Sequence, residues 1–178
     1  ARTFRELNGM TWGILGLGAI GRRVADIAAM FGARVIYCSA SGAPAQEGYN
    51  QVNFDTLLAE SDILSVHAPL NEYTEGIMDA EAFRRMKSSA ILLNLGRGPI
   101  INETDLAEAL NVGEIRAAGL DVLCVEPMSK ENPLLNVRDK DRLFITPHIA
   151  WAAVETRQRL MKIIEGQIRE FFDLTAES

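Results

Sequence analysis

Gly16-Leu17-Gly18-Ala19-Ile20-Gly21 is the stretch on which the reading of this chain turns. An apolar run, Met10 to Leu15, precedes it, and an apolar-periodic segment, Ala19 to Phe31, follows it. G-x-G-x-x-G between a strand and a helix has a separate physical reason at each glycine. Gly16 permits the tight turn out of the strand. Gly18 has no Cβ, so a pyrophosphate can approach the backbone. Gly21 lets the helix pack close to the strand. The free N–H groups of the new helix, beginning at Ala19 and Ile20, and its positive dipole end then face the phosphates. The competing reading is a glycine-rich turn without a ligand; the flanking strand and helix favour the nucleotide.

Outward from this turn the chain alternates short apolar runs with helical patterns. Strands are expected at Thr11–Leu15, Arg34–Cys38, Ile63–His67, Ile91–Asn94, Ile115–Leu120 and Leu143–Thr146. Helices are expected at Ala19–Phe31, Asn53–Ala59, Ala80–Met86, Glu103–Asn111 and Trp151–Phe172. Such alternation implies an α/β fold with a parallel sheet covered on both faces, because parallel strands need crossovers. Six strands predict the doubly wound dinucleotide-binding order, a Rossmann fold in a single domain. Asn102 followed three residues on by Asp105 is a weak form of the capping box, and Gly113 is placed to end the same helix. The last helix carries Leu160, Ile164, Ile168 and Phe171 on one face, as core or interdomain packing or as a surface for another chain. Two long irregular segments, Ser39–Val52 and Cys124–Asp141, are candidates for functional loops.

Composition narrows the classes. The 178 residues are 48% hydrophobic and 24% charged, with a net charge of −6. No basic stretch interleaves with aromatics, so nucleic acid is not an expected partner. Apolar runs fall far short of the ~20 residues of a membrane span. Ala1-Arg2-Thr3-Phe4-Arg5-Glu6 holds no signal-peptide apolar region, so a cytoplasmic, reducing compartment is expected. Cys38 and Cys124 have no metal-ligand spacing, form no disulfide framework and read as small buried filler; no metal is expected.

In the NAD fingerprint an acid ends the second strand and binds the ribose 2′-hydroxyl. Here that position is Ser39, in Tyr37-Cys38-Ser39-Ala40-Ser41-Gly42, and no arginine follows directly. Without the acid, repulsion of a 2′-phosphate is gone, and the hydroxyls of Ser39 and Ser41 can bond ribose or phosphate. Weakened discrimination between NAD and NADP is expected, unless Ser39 merely caps the strand.

Ligands of an open parallel sheet bind outside the carboxyl ends of the strands. His148, in Thr146-Pro147-His148, follows the last expected strand; Arg97, in Gly96-Arg97-Gly98, and Glu126, in the Asp121–Pro127 segment, follow two others. A carbonyl receiving hydride needs a proton donor, which suits a histidine. A carboxylate beside it favours the imidazolium. An arginine fork matches a substrate carboxylate. Each residue alone is more often structural; the three together point to chemistry.

These residues lie in longer motifs: Gly13-Ile14-Leu15-Gly16-Leu17-Gly18-Ala19-Ile20-Gly21, His67-Ala68-Pro69-Leu70, Met86-Lys87 before Ala90–Asn94, Gly96-Arg97-Gly98, Gly119-Leu120-Asp121-Val122 with Glu126-Pro127, and Thr146-Pro147-His148. In their order and spacing they resemble the D-isomer-specific 2-hydroxyacid dehydrogenase family across nearly the whole chain. Pro147–Trp151 and Asn132–Leu135 look most like its glycerate dehydrogenase and hydroxypyruvate reductase branch. The resemblance implies that His148 is the acid/base, Glu126 its partner, and Arg97 the group that binds the substrate carboxylate. It implies that Asp121 contacts the nicotinamide carboxamide and that His67, Ala68 and Pro69 line the cofactor groove, although His67 also reads as a satisfied strand-end histidine. Ser39 departs from the family pattern. The implied function is hydride transfer between NAD or NADP and a small 2-hydroxy or 2-oxo acid, by a homodimer. The implied organisation is a cofactor domain over residues 1–178, with the substrate domain outside this stretch and little turnover by the stretch alone. A nicotinamide-sensing, corepressor-like module and a degenerate structural domain are the other readings; the three glycines speak against the last.

Overall fold

Every expected strand forms, and their carboxyl ends lie flush. The computed structural model describes residues 5–172. It divides into two compact units, Ala1–Thr146 and Pro147–Ser178. In the first, β1 (Thr11–Leu15), β2 (Arg34–Cys38), β3 (Ile63–Val66), β4 (Ile91–Asn94), β5 (Ala117–Leu120) and β6 (Leu143–Ile145) form one parallel sheet in the order β2-β1-β3-β4-β5-β6. The crossovers are α1 (Ala19–Met30), α2 (Phe54–Glu60), α3 (Ala80–Arg85) and α4 (Glu103–Val112); β5 and β6 are joined through two 3₁₀ turns, Pro133–Asn136 and Lys140–Arg142. Register aligns the strand ends: Leu15 pairs with Cys38 and Val66, Val66 with Asn94, Asn94 with Leu120, and Leu120 with Ile145. The order reverses at β1, which puts the crevice of a doubly wound sheet between β1 and β3.

The order differs from the expected one at one edge. The position outside β2 holds no strand, only a parallel bridge between Tyr37 and Gln51. Tyr37 N donates to Asn50 O at 2.9 Å and Val52 N to Tyr37 O at 2.8 Å. Gly42, Pro44 and Gly48 precede this bridge, a composition that breaks strands rather than extends them.

All four residues of β3 are buried, Ser65 among its three apolar neighbours, as expected of a strand covered on both faces. Ile14, Leu17, Ala25 and Tyr37 pack on the α1 side. Leu15, Ile36, Leu57, Leu64, Phe83 and Leu92 belong to the larger cluster. Helix starts follow local chemistry. Asn53 caps α2 by accepting from Thr56 N at 2.8 Å, and Asp79 caps α3 by accepting from Ala82 N at 2.8 Å. Asn102 caps α4 through Thr104 N and Asp105 N, and Gly113 ends it at φ +83. The capping box is only half made, because Asp105 turns away from Asn102 and accepts from Ala80 N at 3.0 Å, tying α4 to α3. Cys38 is buried as expected, whereas Cys124 is exposed.

In the second unit α5 spans Val154–Phe171, three residues shorter at its start than expected because Ile149 O accepts from Ala152 N in a preceding turn. None of its described residues is buried, so the Leu160–Phe171 stripe is not core of this chain. Among the described residues no helix is long and apolar enough to cross a membrane.

Candidate functional site

The turn after β1 shows three glycines doing three different things. At Gly16, φ is +93, and a Cβ would lie 2.6 Å from the Ala68 backbone. At Gly21 a Cβ would lie 2.4 Å from Gly16 O. Both are required by the protein's own packing. At Gly18 nothing lies within 4 Å of a Cβ, so the space there is open to a ligand. Gly18 also precedes the first turn of α1, whose free N–H groups and positive end favour an anion.

A cleft of about 210 Å³ runs past this turn and brings together Gly16, Gly18, Ser39, His67, Ala68 and Pro69. Ser39 and Ser41 sit 3.3 Å apart between their hydroxyls, and Ser39 Oγ accepts from Ala43 N at 3.1 Å, so Ser39 holds its own loop while facing the cleft. Gln46 joins the wall and donates to Leu17 O at 2.9 Å. Among the described residues no carboxylate lines the cleft. His67 follows β3, and its N–H donates to Leu15 O at 2.8 Å. Among the described residues its Nε2 is the one buried side-chain nitrogen or oxygen without a hydrogen-bond partner. Burial pushes its pKa down, so the ring is neutral. An open glycine, a helix N-terminus and an orphaned ring nitrogen in one cleft fit a polyhydroxylated, phosphorylated ligand.

Two further loops leave the neighbouring strands β4 and β5. Asn94 ends β4; its Oδ1 accepts from Gly96 N and its Nδ2 donates to Arg97 O, both at 3.0 Å, shaping the turn that exposes Arg97. Arg97 is folded onto Gly96 O at 2.8 Å. Gly98 follows, so close to the next loop that a Cβ would lie 2.0 Å from Leu123 C. After β5, Asp121 is buried and accepts from Thr146 Oγ1 at 2.5 Å. Glu126 lies on the exposed stretch Cys124–Pro127, closed by a cis peptide before Pro127, and its Oε1 accepts from Leu123 N at 2.9 Å. Arg97 and Glu126 thus stand on two loops packed backbone to backbone.

In the second unit His148 is the described non-glycine residue with positive φ, at +51. Histidine is among the side chains that tolerate this region, though such backbone is uncommon away from functional positions. A larger groove of about 880 Å³ along α5 is walled by Trp151, Val154, Leu160 and Met161 together with Arg157, Gln158 and Lys162, and is mostly apolar.

Residues 1–150 match the family model described as D-isomer specific 2-hydroxyacid dehydrogenase, NAD binding domain. The chain belongs to this family. It is 45% identical over 168 residues to a hydroxypyruvate reductase of Blautia hydrogenotrophica, covering 93% of this chain and 51% of that protein. A glyoxylate reductase structure from Paecilomyes thermophila aligns with a TM-score of 0.82 at 35% identity, over 93% of this chain and 50% of the other. A probable 2-hydroxyacid dehydrogenase from Rhizobium etli, solved with NADP, HEPES and L(+)-tartaric acid, aligns at 0.80 and 31%, over 97% and 56%. The chain spans about half the length of the curated relatives it matches.

As an NAD-binding domain of the 2-hydroxyacid dehydrogenase family, the protein uses its sequence-derived residues unevenly. Gly16, Gly18, Ser39, His67, Ala68 and Pro69 share the cleft. Ala19 and Ile20 are exposed at the start of α1, and Gly21 is buried behind the turn; none lines the cleft. Asp121 lies under the β5 loop, engaged with Thr146. Sequence reasoning missed Gln46, Asn94 and Glu103. Gln46 sits in a loop without periodicity. Asn94 had a signal, since an Asn two residues before a glycine forms such turns. Glu103 reads as an ordinary acidic first turn, and its burial is a tertiary property.

Proposed function

We propose that this chain is the cofactor-binding part of an oxidoreductase that passes hydride between NAD or NADP and a small 2-hydroxy or 2-oxo acid of the hydroxypyruvate or glyoxylate type. The observation that carries the reading is the β1–β3 cleft, where open space at Gly18 meets a helix N-terminus and the unpartnered His67 Nε2. Family membership supports the reaction class.

The residue roles follow their chemistry. The first turn of α1 and Gly18 hold the pyrophosphate, and Ser39 with Ser41 meets the adenosine ribose or its 2′-phosphate. Asp121 orients the carboxamide. Arg97 offers a planar fork that matches a carboxylate with two parallel hydrogen bonds and polarises the adjacent carbonyl. His148 gives a proton to the carbonyl oxygen in reduction and takes it back in oxidation. Glu126 favours its protonated form and fixes its orientation. The nicotinamide, when bound, supplies or accepts the hydride. The relatives above are named as enzymes, which favours this reading over a nucleotide-sensing module.

Pairing of two copies through the cofactor domain is part of the proposal, supported by the exposed Ile27 and Met30 of α1 and Phe31 just after it; sedimentation tests it. A reducing, cytoplasmic setting accords with two free thiols. The activity test is oxidation of NADH or NADPH by the intact protein with hydroxypyruvate and glyoxylate. His148→Ala is expected to lower kcat by roughly 10²–10⁴. No turnover of either acid, or unchanged turnover in the variant, contradicts the proposal.

A further inference from the structure

We infer that Glu103, a residue outside every motif that defines the site, is a positioning residue for Glu126. Its carboxylate pins both ends of the loop that carries Glu126. Glu103 is the first residue of α4 and only 9% exposed. One carboxylate oxygen, Oε1, accepts from Cys124 N at 2.8 Å, and the other, Oε2, accepts from Asn132 Nδ2 at 2.9 Å. Glu126 lies between these two tethers. Asn132 cannot turn its amide over without loss, since its Oδ1 already accepts from Leu134 N at 2.9 Å.

Cys124 through Pro127 are exposed, and the contacts that bracket Glu126 include the Glu103 tether at Cys124, the Cys124 thiol donating to Ile101 O at 3.7 Å and the Leu123 N–H that Glu126 itself accepts. Leu123 is in turn fixed against Gly98, next to Arg97. Glu103 therefore sets the height of the Glu126 turn relative to the Arg97 turn.

A carboxylate is a costly group to bury, and it persists where hydrogen bonds and a favourable field offset the cost. Here both oxygens are bonded, and the N-terminus of α4 adds its positive end. A glutamine in the same place would turn an N–H towards the Asn132 N–H. The Cys124 thiol, next to this carboxylate, is pushed up to about 11 by partial desolvation and by Glu103, so it adds no second negative charge beside Glu126.

The inference rests on the reading of Glu126 as the partner of the acid/base, and a double-mutant cycle in the intact enzyme separates the two. Glu126→Ala should lower kcat strongly. Glu103→Gln should lower kcat about tenfold while the KM for the nicotinamide cofactor stays within about twofold. The double variant should be no slower than Glu126→Ala alone, because a positioning residue has nothing left to position. Asn132→Ala, which removes the Oε2 partner together with the acceptor of the Leu134 N–H, serves as a second single variant if Glu103→Gln does not fold. Losses that multiply in the double variant overturn the inference. So does a Glu103→Gln enzyme that melts earlier but keeps its kcat well below its melting point. Unchanged kcat in Glu126→Ala overturns the role of Glu126 itself, and the inference with it.

Discussion

The β1–β3 cleft and the β4–β5 loop pair sit on one sheet edge and are built by opposite means. The cleft is shaped by what is missing: two glycines whose Cβ would strike the chain's own backbone, and one, Gly18, whose Cβ would project into open space. The loop pair is shaped by side chains, with Asn94 folding the Arg97 turn and Glu103 tying down the Glu126 turn. A backbone-built site is rigid and tolerates little substitution. A site built from side-chain hydrogen bonds can be altered one bond at a time, which is where a shared cofactor and varied substrates would leave room for change.

The sharpest way to break this contrast is to damage each side separately. Arg97→Ala in the intact enzyme should lower kcat/KM for the oxo acid by roughly 10²–10³, since it removes charge stabilisation at the reacting carbonyl, and should leave the dissociation constant of NADH unchanged. Equal damage to NADH binding, read by titration, would mean that the two regions are not separable.

Within the glycine turn the contrast is between fold and ligand. Gly16→Ala combines positive φ with a clash on the Ala68 backbone, and should destabilise by about 3 kcal/mol or more in urea unfolding. Gly18→Val should stay within about 1 kcal/mol of the wild type. It should weaken nucleotide binding roughly a hundredfold, the loss of one or two charge-assisted bonds. Equal destabilisation by both would contradict the division of labour.

Ser39→Asp restores the acid at the end of β2. It should lower the NADPH-to-NADH affinity ratio by about tenfold through repulsion of the 2′-phosphate, as read by paired titrations. An unchanged ratio would remove Ser39 from the adenosine subsite.

The smallest effect is at His67. Burial lowers its pKa below the usual ~6.5, so above that pH it is neutral in both folded and unfolded chains. As pH falls below ~6.5 the unfolded chain takes up a proton that the folded one does not, and stability falls until the lowered folded value is passed. Urea midpoints measured from pH 7.5 to 5, roughly the window in which histidine titrates, should fall less in His67→Asn than in the wild type.

Much of this was legible in the sequence, for identifiable reasons. β1, β2 and β4 have the bounds expected from the sequence. β5 starts at Ala117 rather than Ile115, although Ile115 is buried, because an apolar residue marks burial rather than pairing. The glycine turn was readable because steric demands on a backbone leave a mark at fixed spacing. Glu103 was not readable, because a buried carboxylate and a solvated one are the same letter until the Cys124 loop folds over it. The pairing outside β2 was also hidden: Gln51 joins Tyr37 by a single bridge that no periodicity announces.

The most direct test of the account is a calorimetric titration of the protein with NADH and NADPH, run beside Gly18→Val. The account predicts that the wild type binds both with comparable affinity and that the variant, equally stable, binds neither well. Equal binding by wild type and variant, or no binding by a folded intact wild type, would show that the glycine turn is structural and not a cofactor site.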